Sequence, residues 1–101
     1  MAQETGIILN RDGFAIGVTY NEKESLATLQ AAVGGRIESI SQHFGMDAYA
    51  NEEGLYTPGL QVNPHAAHVL GYNIIGNIVL PRITPTKRKR LIAKGFAIKP
   101  E

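Results

Sequence analysis

The stretch "YNIIGNIVL", residues 72–80, is a strongly apolar run rich in β-branched residues. Isoleucine and valine favour pleated strands, and a run without charged residues is typical of the inside of a sheet. The run is long enough to be a central strand, and Gly76 within it indicates a bulge or a close approach of another segment. We therefore expect the fold to be built around a sheet that has this strand at its centre.

The residues just before this strand, "LQVNPHAAHVLG" (60–71), carry the signals of a short helix. Asn63 is a preferred N-cap, and Pro64 suits the first helical position because its missing N–H would be unpaired there. Gly71 stands where a left-handed glycine commonly ends a helix. The segment is predicted to be a helix of about two turns.

The N-terminal third predicts a hairpin followed by a longer helix. The runs "TGIIL" (5–9) and "FAIGVTY" (14–20) flank "NRDG", which suits a tight turn. In "NEKESLATLQAAVGG" (21–35), Asn21 and Glu24 have the spacing of a capping box. Three apolar residues follow at helical spacing, Leu26, Leu29 and Val33. The two glycines after them predict the end of the helix.

Two further strands are predicted between the helices, "RIESISQHF" (36–44) and "MDAYA" (46–50), with a turn at "NEEG". The order is then β-β-α-β-β-α-β. It predicts an α+β fold with a small, mainly antiparallel sheet of about five strands, one long and one short helix, and a basic C-terminal tail. We expect a single domain over residues 1–83, with residues 84–101 as a tail or short helix.

Length and composition restrict the class of protein. A chain of 101 residues has room for one core, and its content of 44% hydrophobic residues is ordinary for a folded domain. There is no cysteine, so disulfides, thiolate metal sites and a cysteine nucleophile are excluded. No stretch resembles a signal peptide or a membrane span. These features predict a soluble cytoplasmic protein with no membrane partner.

Charge is distributed unevenly along the chain. Residues up to Pro81 include three basic and eight acidic side chains, whereas residues from Arg82 onward include seven basic side chains and one acidic. The body therefore carries a net −5 and the C-terminal segment a net +6. Such a basic segment fits phosphate groups without reading bases. The predicted contacts to nucleic acid, a nucleotide or another polyanion are Arg82, Lys87, Arg88, Lys89, Arg90 and Lys94.

The same segment has features of a short helix. Thr84 or Thr86 would cap it, and Pro85 fits an early position. Apolar side chains follow the cations and would either return to the core or meet a partner: Leu91, Ile92, Phe96 and Ile98. Because the other fold signals end near Leu80, we expect a chain truncated after Ile83 to fold and to lose polyanion binding.

His65 and His68 are the candidates for a metal site. They stand three residues apart on one helix face, and zinc would need a third ligand such as His43, Asp47 or Glu53. The capping signals explain the segment equally well, with both histidines directed to solvent or to a partner. We therefore favour a purely structural helix, expect no metal or other cofactor, and expect Asn63→Ala to cost about 1 kcal/mol.

Other catalytic constellations are weak. Glu52 and Glu53 are adjacent in a turn, where side chains usually diverge, and acid–base work needs them to converge. Ser39, Ser41 and His43 would share one side of a strand, which more often is a solvated face. Neither "VGG" nor "GYNIIGN" has the spacing of a phosphate-binding loop. The sequence therefore predicts a binding protein and not an enzyme.

Three segments in a fixed order carry a resemblance to a known family: "LQAAVGGRIESI" (29–40), "YANEEGL" (49–55) and "LQVNPHAAHVLGYNIIGNIVL" (60–80). Together they resemble a domain family of unknown function that is found in bacteriophages and in plasmids or other mobile elements. The resemblance covers roughly residues 29–80. It implies an origin and a fold, and it implies no chemistry.

Two functions follow as hypotheses. The first is a small binding protein of a phage or mobile element whose basic segment binds a polyanion; the alternative is an interaction protein that docks on a host protein and modulates it. We also expect a homodimer, because a small sheet leaves edges to pair and a basic segment is attracted to the acidic body of a neighbouring copy. The competing outcome is a monomer whose basic segment contacts its own body.

Overall fold

Five β-strands form one antiparallel sheet in the computed structural model, which describes residues 2–54, 61–96 and 98. The order across the sheet is β2-β1-β5-β4-β3, so the last strand of the chain lies at its centre. The strands are β1 (Gln3–Leu9), β2 (Ala15–Asn21), β3 (Ile37–Ser39), β4 (Tyr49–Asn51) and β5 (Ile78–Leu80). Two α-helices accompany them, α1 (Ser25–Val33) and α2 (Pro85–Lys94). The predicted α+β class and antiparallel sheet are confirmed.

The first two strands form the predicted hairpin and pair along their full lengths. In the turn, the Asn10 N–H donates to the Phe14 carbonyl at 2.8 Å, and Gly13 has a positive φ of 93°. Glycine suits this position because a left-handed backbone strains other side chains. The turn composition therefore predicted the hairpin correctly.

The central strand is shorter than predicted. Of residues 72–80, only Ile78–Leu80 lie in the sheet. Before them, Ile75 forms an isolated bridge with Val62, and Gly76 has a φ of 85°. This left-handed residue interrupts the extended run, so the predicted position was right and the predicted length wrong.

The strand predicted over 36–44 is also too long, because β3 ends at Ser39 and a 3-10 turn follows at Ser41–His43. The Ser41 hydroxyl accepts a hydrogen bond from the Ala48 N–H at 3.1 Å. A serine that bonds nearby backbone in this way competes with strand pairing. The serine and histidine side chains of this stretch therefore do not share one strand face.

α1 begins and ends close to where the sequence places it. The Asn21 side chain accepts from the Lys23 N–H at 3.0 Å and so caps a 3-10 turn, Glu22–Glu24, that leads into the helix. The helix ends at Gly34, whose φ of 80° is the left-handed stop that the sequence predicted.

One face of the sheet is covered by α1. Leu29 and Val33 of the helix pack with Val79 of β5 in a small apolar cluster. Leu26 does not join them, because its side chain is 57% exposed. Of the three apolar residues at helical spacing, the helix therefore buries two, Leu29 and Val33.

Two asparagine side chains hold the C-terminal end of α1 on the sheet. The Asn51 Nδ2 donates to the Val33 carbonyl at 3.1 Å, and the Asn77 Nδ2 donates to the Ala32 carbonyl at 3.0 Å. Carbonyls in the last turn of a helix lack partners within the helix, so these bonds satisfy groups that would otherwise need water. Asn51 also begins the predicted turn, where its Oδ1 accepts from the Glu53 N–H at 2.7 Å.

The opposite face of the sheet carries the larger core. Ile7 and Leu9 belong to it, whereas Ile8 between them packs with the α1 cluster, as the two-residue period of a strand requires. Residues outside the sheet complete this core: Ile40, Phe44, Ala66, Ile74, Leu91, Phe96 and Ile98. The sheet is therefore covered on both sides.

The segment before β5 is helical, as predicted, but its geometry is wider than an α-helix. A π-helical segment spans Ala66–Leu70 and ends at Gly71, which has a φ of 63°. The Asn63 Oδ1 accepts from the His65 N–H at 3.0 Å, which is the bond expected of an N-cap residue. Ala66 of this segment is fully buried in the larger core.

α2 begins as the sequence predicted. The Thr84 side chain accepts from the Lys87 N–H at 3.2 Å, and Pro85 occupies the first helical position. None of the helices in residues 2–54, 61–96 and 98 is long and apolar enough to cross a membrane.

The end of α2 directs the chain back into the core. Gly95, with a φ of 108°, donates from its N–H to the Ile92 carbonyl at 3.0 Å, and the Phe96 N–H donates to the Leu91 carbonyl at 3.1 Å. This pair of bonds is a Schellman motif, in which the flanking apolar residues pack together. The Phe96 ring also stacks on Phe44, with 5.3 Å between ring centroids.

These contacts argue against a domain boundary after residue 83. Leu91, Phe96 and Ile98 lie in the same core as β1 and β5. Of the two possibilities that the sequence left open for these apolar side chains, the return to the core is the one observed. The basic segment is therefore a helix that forms part of the domain, and the expectation that the chain folds without it is revised.

Candidate polyanion-binding surface

The turn that leads into α2 is fixed by the backbone. Pro81 is buried, and the following Arg82 has a φ of 51°, a left-handed conformation that non-glycine residues seldom adopt. The Ile83 N–H then donates to the Thr5 carbonyl of β1 at 2.7 Å. Gly6 permits this approach, because a Cβ there would stand 2.9 Å from the Leu80 carbonyl oxygen. The sheet thus determines where the helix starts.

Helical geometry then groups three of the six predicted cations. Lys87, Arg90 and Lys94 are spaced three and four residues apart, so they form a stripe along one side of α2. Lys89 is exposed about 100° round the helix from Arg90, and Arg82 lies at the start of the stripe. We call Arg82, Lys87, Lys89, Arg90 and Lys94 the basic surface.

Polar contacts orient three members of this surface, two of them by contacts with the body. Arg82 forms an ion pair with Asp47, and this carboxylate raises the pKa of the guanidinium. The Lys87 ammonium donates to the Arg82 carbonyl at 3.2 Å, and the Lys94 ammonium donates to the Phe44 carbonyl at 2.9 Å. Each ammonium has three donors, so both keep donors for an anion. The basic segment thus contacts its own body.

Arg88 is the exception among the six predicted contacts. By helical geometry it lies on the other side of the buried Leu91 from the stripe. It is half-buried and lines a groove of about 430 Å³ together with Ile7 and Gly17 of the hairpin. The structure therefore leaves five of the six cations on the outer surface around α2, three of them in one stripe, and separates Arg88 from that stripe.

A buried tyrosine lies near Arg82, at the start of the basic surface. Tyr20 stands directly opposite Glu4 in the hairpin and is buried. Burial raises the pKa of Tyr20 to about 12, and the Glu4 carboxylate acts in the same direction. The hydroxyl is therefore neutral at physiological pH.

The two histidines of the helical segment occupy different environments. His65 is only 6% exposed, whereas His68 is exposed, so the prediction that both face solvent or a partner was wrong for His65. The buried His65 Nε2 has no hydrogen-bond partner among the described residues. Burial lowers the pKa of His65, and backbone groups of Gly13 and Phe14 partly offset this effect.

No potential metal cluster forms in the part of the chain that the structure describes. Three or more candidate side chains do not come together there, so the third zinc ligands considered from the sequence do not join His65 and His68. His43 instead stacks on Tyr72, with 4.4 Å between ring centroids, and Asp47 pairs with Arg82.

A small cavity with a mixed polar and apolar lining brings together residues that were not connected in the sequence. It measures about 230 Å³, and Glu38, His43, Glu52 and Tyr72 are among its lining residues. Glu53 is not among them, so the adjacent carboxylates of the turn diverge as expected. The geometry supplies no nucleophile paired with a base, and we assign no reaction to this cavity.

Asn63 has a structural role that the sequence indicated only in part. Its side chain is fully buried, and besides capping the helical segment it donates from Nδ2 to the Leu9 carbonyl at 2.7 Å and to the Gly76 carbonyl at 2.8 Å. One side chain thus ties the helical segment to β1 and to the left-handed residue before β5. An Asn-Pro pair signals a helix start, and it carries no information on these distant partners.

By its fold and surface, the protein is a small α+β domain whose sheet is covered on both faces and whose basic helix packs into the core. Residues 5–90 match the family model of a domain of unknown function, DUF3846, and the chain therefore belongs to this family. The match begins within β1 and ends within α2. No curated protein and no solved structure matches the chain.

Proposed function

We propose that this protein is a non-enzymatic binding protein whose basic surface binds a polyanion, either nucleic acid or a nucleotide. The observation that carries the proposal is the stripe formed by Lys87, Arg90 and Lys94, with Lys89 exposed about 100° round the helix from Arg90. Cations held on one side of a rigid helix repel each other, and an anion relieves that repulsion. A row of phosphates matches such a stripe better than an isolated charge does.

Recognition in this proposal is electrostatic and independent of base sequence. Lysine presents a compact charge with rotatable donors, and it contacts phosphate without reading base edges. Three side chains of the surface are already held, Arg82 and Lys94 by the body and Lys87 by the Arg82 carbonyl, so less conformational entropy is lost when they meet a ligand. The expected binding is therefore tolerant of sequence and sensitive to salt.

The experiment measures binding of a labelled duplex DNA across a salt series, with the double variant Lys89→Gln/Arg90→Gln. Both side chains are exposed, so the variant should keep the fold. Each lost phosphate contact lowers the slope of log affinity against log salt by about 0.9. We expect the slope to fall by nearly twice that amount.

The matched control is Lys23→Gln/Arg36→Gln, which removes the same charge from exposed positions elsewhere. Equal affinities for the two double variants would show that total charge matters and the basic surface does not, and would contradict the proposal. Binding that is insensitive to salt would contradict it as well. Salt-insensitive capture of a protein would instead favour the alternative function, docking on a host protein.

We further propose that the protein acts in the cytoplasm of a host cell as the product of a phage or mobile element. This part of the proposal rests on the resemblance of residues 29–80 alone. Amplification of the coding region from induced phage particles or from isolated plasmids would test it.

A further inference from the structure

The outer edge of β2 is the longest unpaired strand edge in the described part of the chain. β2 is an edge strand of the sheet, and its sequence "AIGVTYN" contains no charged side chain. Exposed, uncharged edge strands tend to pair with another strand, and proteins usually protect them with charges, prolines or bulges. None of these devices interrupts β2.

Hydrogen bonds at the two ends of the hairpin identify the groups that face outward. The Asn10 N–H donates to the Phe14 carbonyl, and the Glu22 N–H donates to the Ala2 carbonyl at 3.2 Å. Even-numbered positions of β1 therefore make the hydrogen-bonded pairs, and the intervening positions of β2 direct their backbone groups away from β1. The outward residues include Ala15, Gly17 and Thr19, whose backbone groups make no hydrogen bond on this side within residues 2–54, 61–96 and 98.

The other edge of the sheet is protected. β3 has only three residues, Ile37–Ser39, and Glu38 within it is exposed. Arg36 is exposed just before the strand. A short edge with a charge of each sign is a poor template for a further strand. The two edges thus differ in length and in charge, and only β2 is suited to pairing.

We propose that β2 pairs with β2 of a second copy of this chain, antiparallel and across a two-fold axis at Gly17. This register places Gly17 opposite Gly17 of the partner subunit and Ala15 opposite Thr19 of the partner subunit. Ala15, Gly17 and Thr19 then each face a residue of the partner subunit whose backbone groups also point outward. Each such pair exchanges two backbone hydrogen bonds. The two sheets become one continuous sheet.

Side chains at the edge suit a second copy in this register. Ile16 is 46% exposed and would lie opposite Val18 of the partner subunit, so an apolar pair would cover it. At the axis itself, Gly17 has open space: no heavy atom lies within 4 Å of the position that a Cβ would take. Because the edge carries no charge, two identical strands approach each other without like-charge repulsion.

The proposed dimer has a consequence for the basic surface. A two-fold axis perpendicular to the sheet keeps the same face of both subunits on the same side. Both α2 helices, which cover the Ile7 face, would then lie on one face of the continuous sheet. The dimer does not depend on polyanion binding, and it should keep its mass when salt is raised, since backbone hydrogen bonds hold it.

The first experiment measures mass by light scattering for Gly17→Glu, Gly17→Lys and their mixture. Each variant alone places two like charges together at the axis and should be monomeric, whereas the mixture should recover the dimer. The recovery distinguishes a lost interface from a lost fold. Ala27→Glu, which adds the same charge on the exposed side of α1, should stay dimeric.

The second experiment uses the absence of cysteine in the chain. Gly17→Cys should form a disulfide-linked dimer on mild oxidation, because opposite residues of a hydrogen-bonded pair lie about 5.5 Å apart. Ala27→Cys should remain uncrosslinked under the same conditions. A monomeric mass for the unmodified chain, or equal crosslinking of both variants, would overturn the proposal.

Discussion

The two faces of the sheet are covered in different ways. On one face, α1 buries Leu29 and Val33 against the central strand, and asparagine side chains hold its C-terminal end. On the other face, the larger core is closed by α2, in which half of the residues are cationic and the one fully buried residue is Leu91. A helix without a charged residue thus covers the smaller cluster, and the most charged helix covers the larger one.

The difference shows that the apolar content of a helix does not measure its contribution to the core. α2 contributes through Leu91 and through the chain that its capping glycine turns back, where Phe96 and Ile98 are buried. Lys89, Arg90 and Lys94 are exposed on a helix that is fixed at both ends. One element can therefore hold the fold together and carry the charge proposed for binding.

The largest expected effect on stability comes from removing α2, which covers the second face of the sheet. A chain truncated after Ile83 lacks Leu91, Phe96 and Ile98, and it exposes the apolar side of β1 and β5. We expect it to lose cooperative thermal unfolding, measured by circular dichroism. The full-length Lys89→Gln/Arg90→Gln variant should unfold like the unmodified chain, because the charges do not hold the core. A truncated chain with a cooperative transition would show that α1 and the sheet suffice.

The next largest effect is on the free energy of unfolding, and it is seen by comparing one leucine from each helix. Leu91→Ala removes a fully buried side chain from the larger core and should lower the free energy of unfolding by about 2–5 kcal/mol. Leu26→Ala on α1 should change it by no more than about 0.5 kcal/mol, because that side chain is mostly exposed. Denaturant titrations of both variants measure the difference. Equal losses would contradict the unequal burial of the two side chains.

Asn63 allows a third comparison, between a buried and an exposed capping residue. Asn63→Ala leaves the Leu9 and Gly76 carbonyls without this partner, and a buried unsatisfied group costs about 1–3 kcal/mol. We expect a loss of about 2–3 kcal/mol, more than the value of about 1 kcal/mol predicted from capping alone. Asn21→Ala, which affects the cap of the 3-10 turn before α1, is the control and should cost about 1 kcal/mol. Similar losses for both would show that the two distant bonds of Asn63 contribute little.

The sequence predicted the fold class and the start of each helix, because these depend on local chemistry. Asn-Pro, Thr-Pro and the glycines at helix ends act over a few residues. The lengths of the strands were not predictable in the same way, since Gly76 and Ser41 end them through contacts with distant residues. The glycine after Lys94, followed by an aromatic residue, was a signal of the return to the core that the charge pattern obscured.

The candidate site was predicted as a set of residues and not as a surface. Helical spacing alone groups Lys87, Arg90 and Lys94, and that grouping is available from the sequence once the helix is assigned. The exclusion of Arg88 and the ion pair of Arg82 with Asp47 depend on tertiary packing. The burial of His65 likewise depends on the hairpin turn that packs against it.

The smallest expected effect is a difference between His65 and His68 in the pH dependence of stability. Burial lowers the pKa of His65 below its ordinary value of 6.5, so the unfolded chain binds a proton more readily than the folded one. The contribution of the neutral imidazole to stability is fully present above about pH 6.5. It falls as the pH drops below this value, and the fall ends once the pH is below the folded-state pKa. Unfolding measured between pH 7 and pH 5 should show this decline in the unmodified chain.

His65→Gln should flatten that decline, because glutamine does not titrate, even though the variant is less stable at pH 7 than the unmodified chain. His68→Gln is the matched control on the exposed side of the same segment and should leave the decline unchanged. The two histidines share one helical segment and differ in burial, so burial is the variable that the pair isolates. An equal flattening by both variants would mean that they titrate together, as in a shared metal site. Zinc that copurifies with the unmodified chain and is lost in the double variant would then replace the structural interpretation.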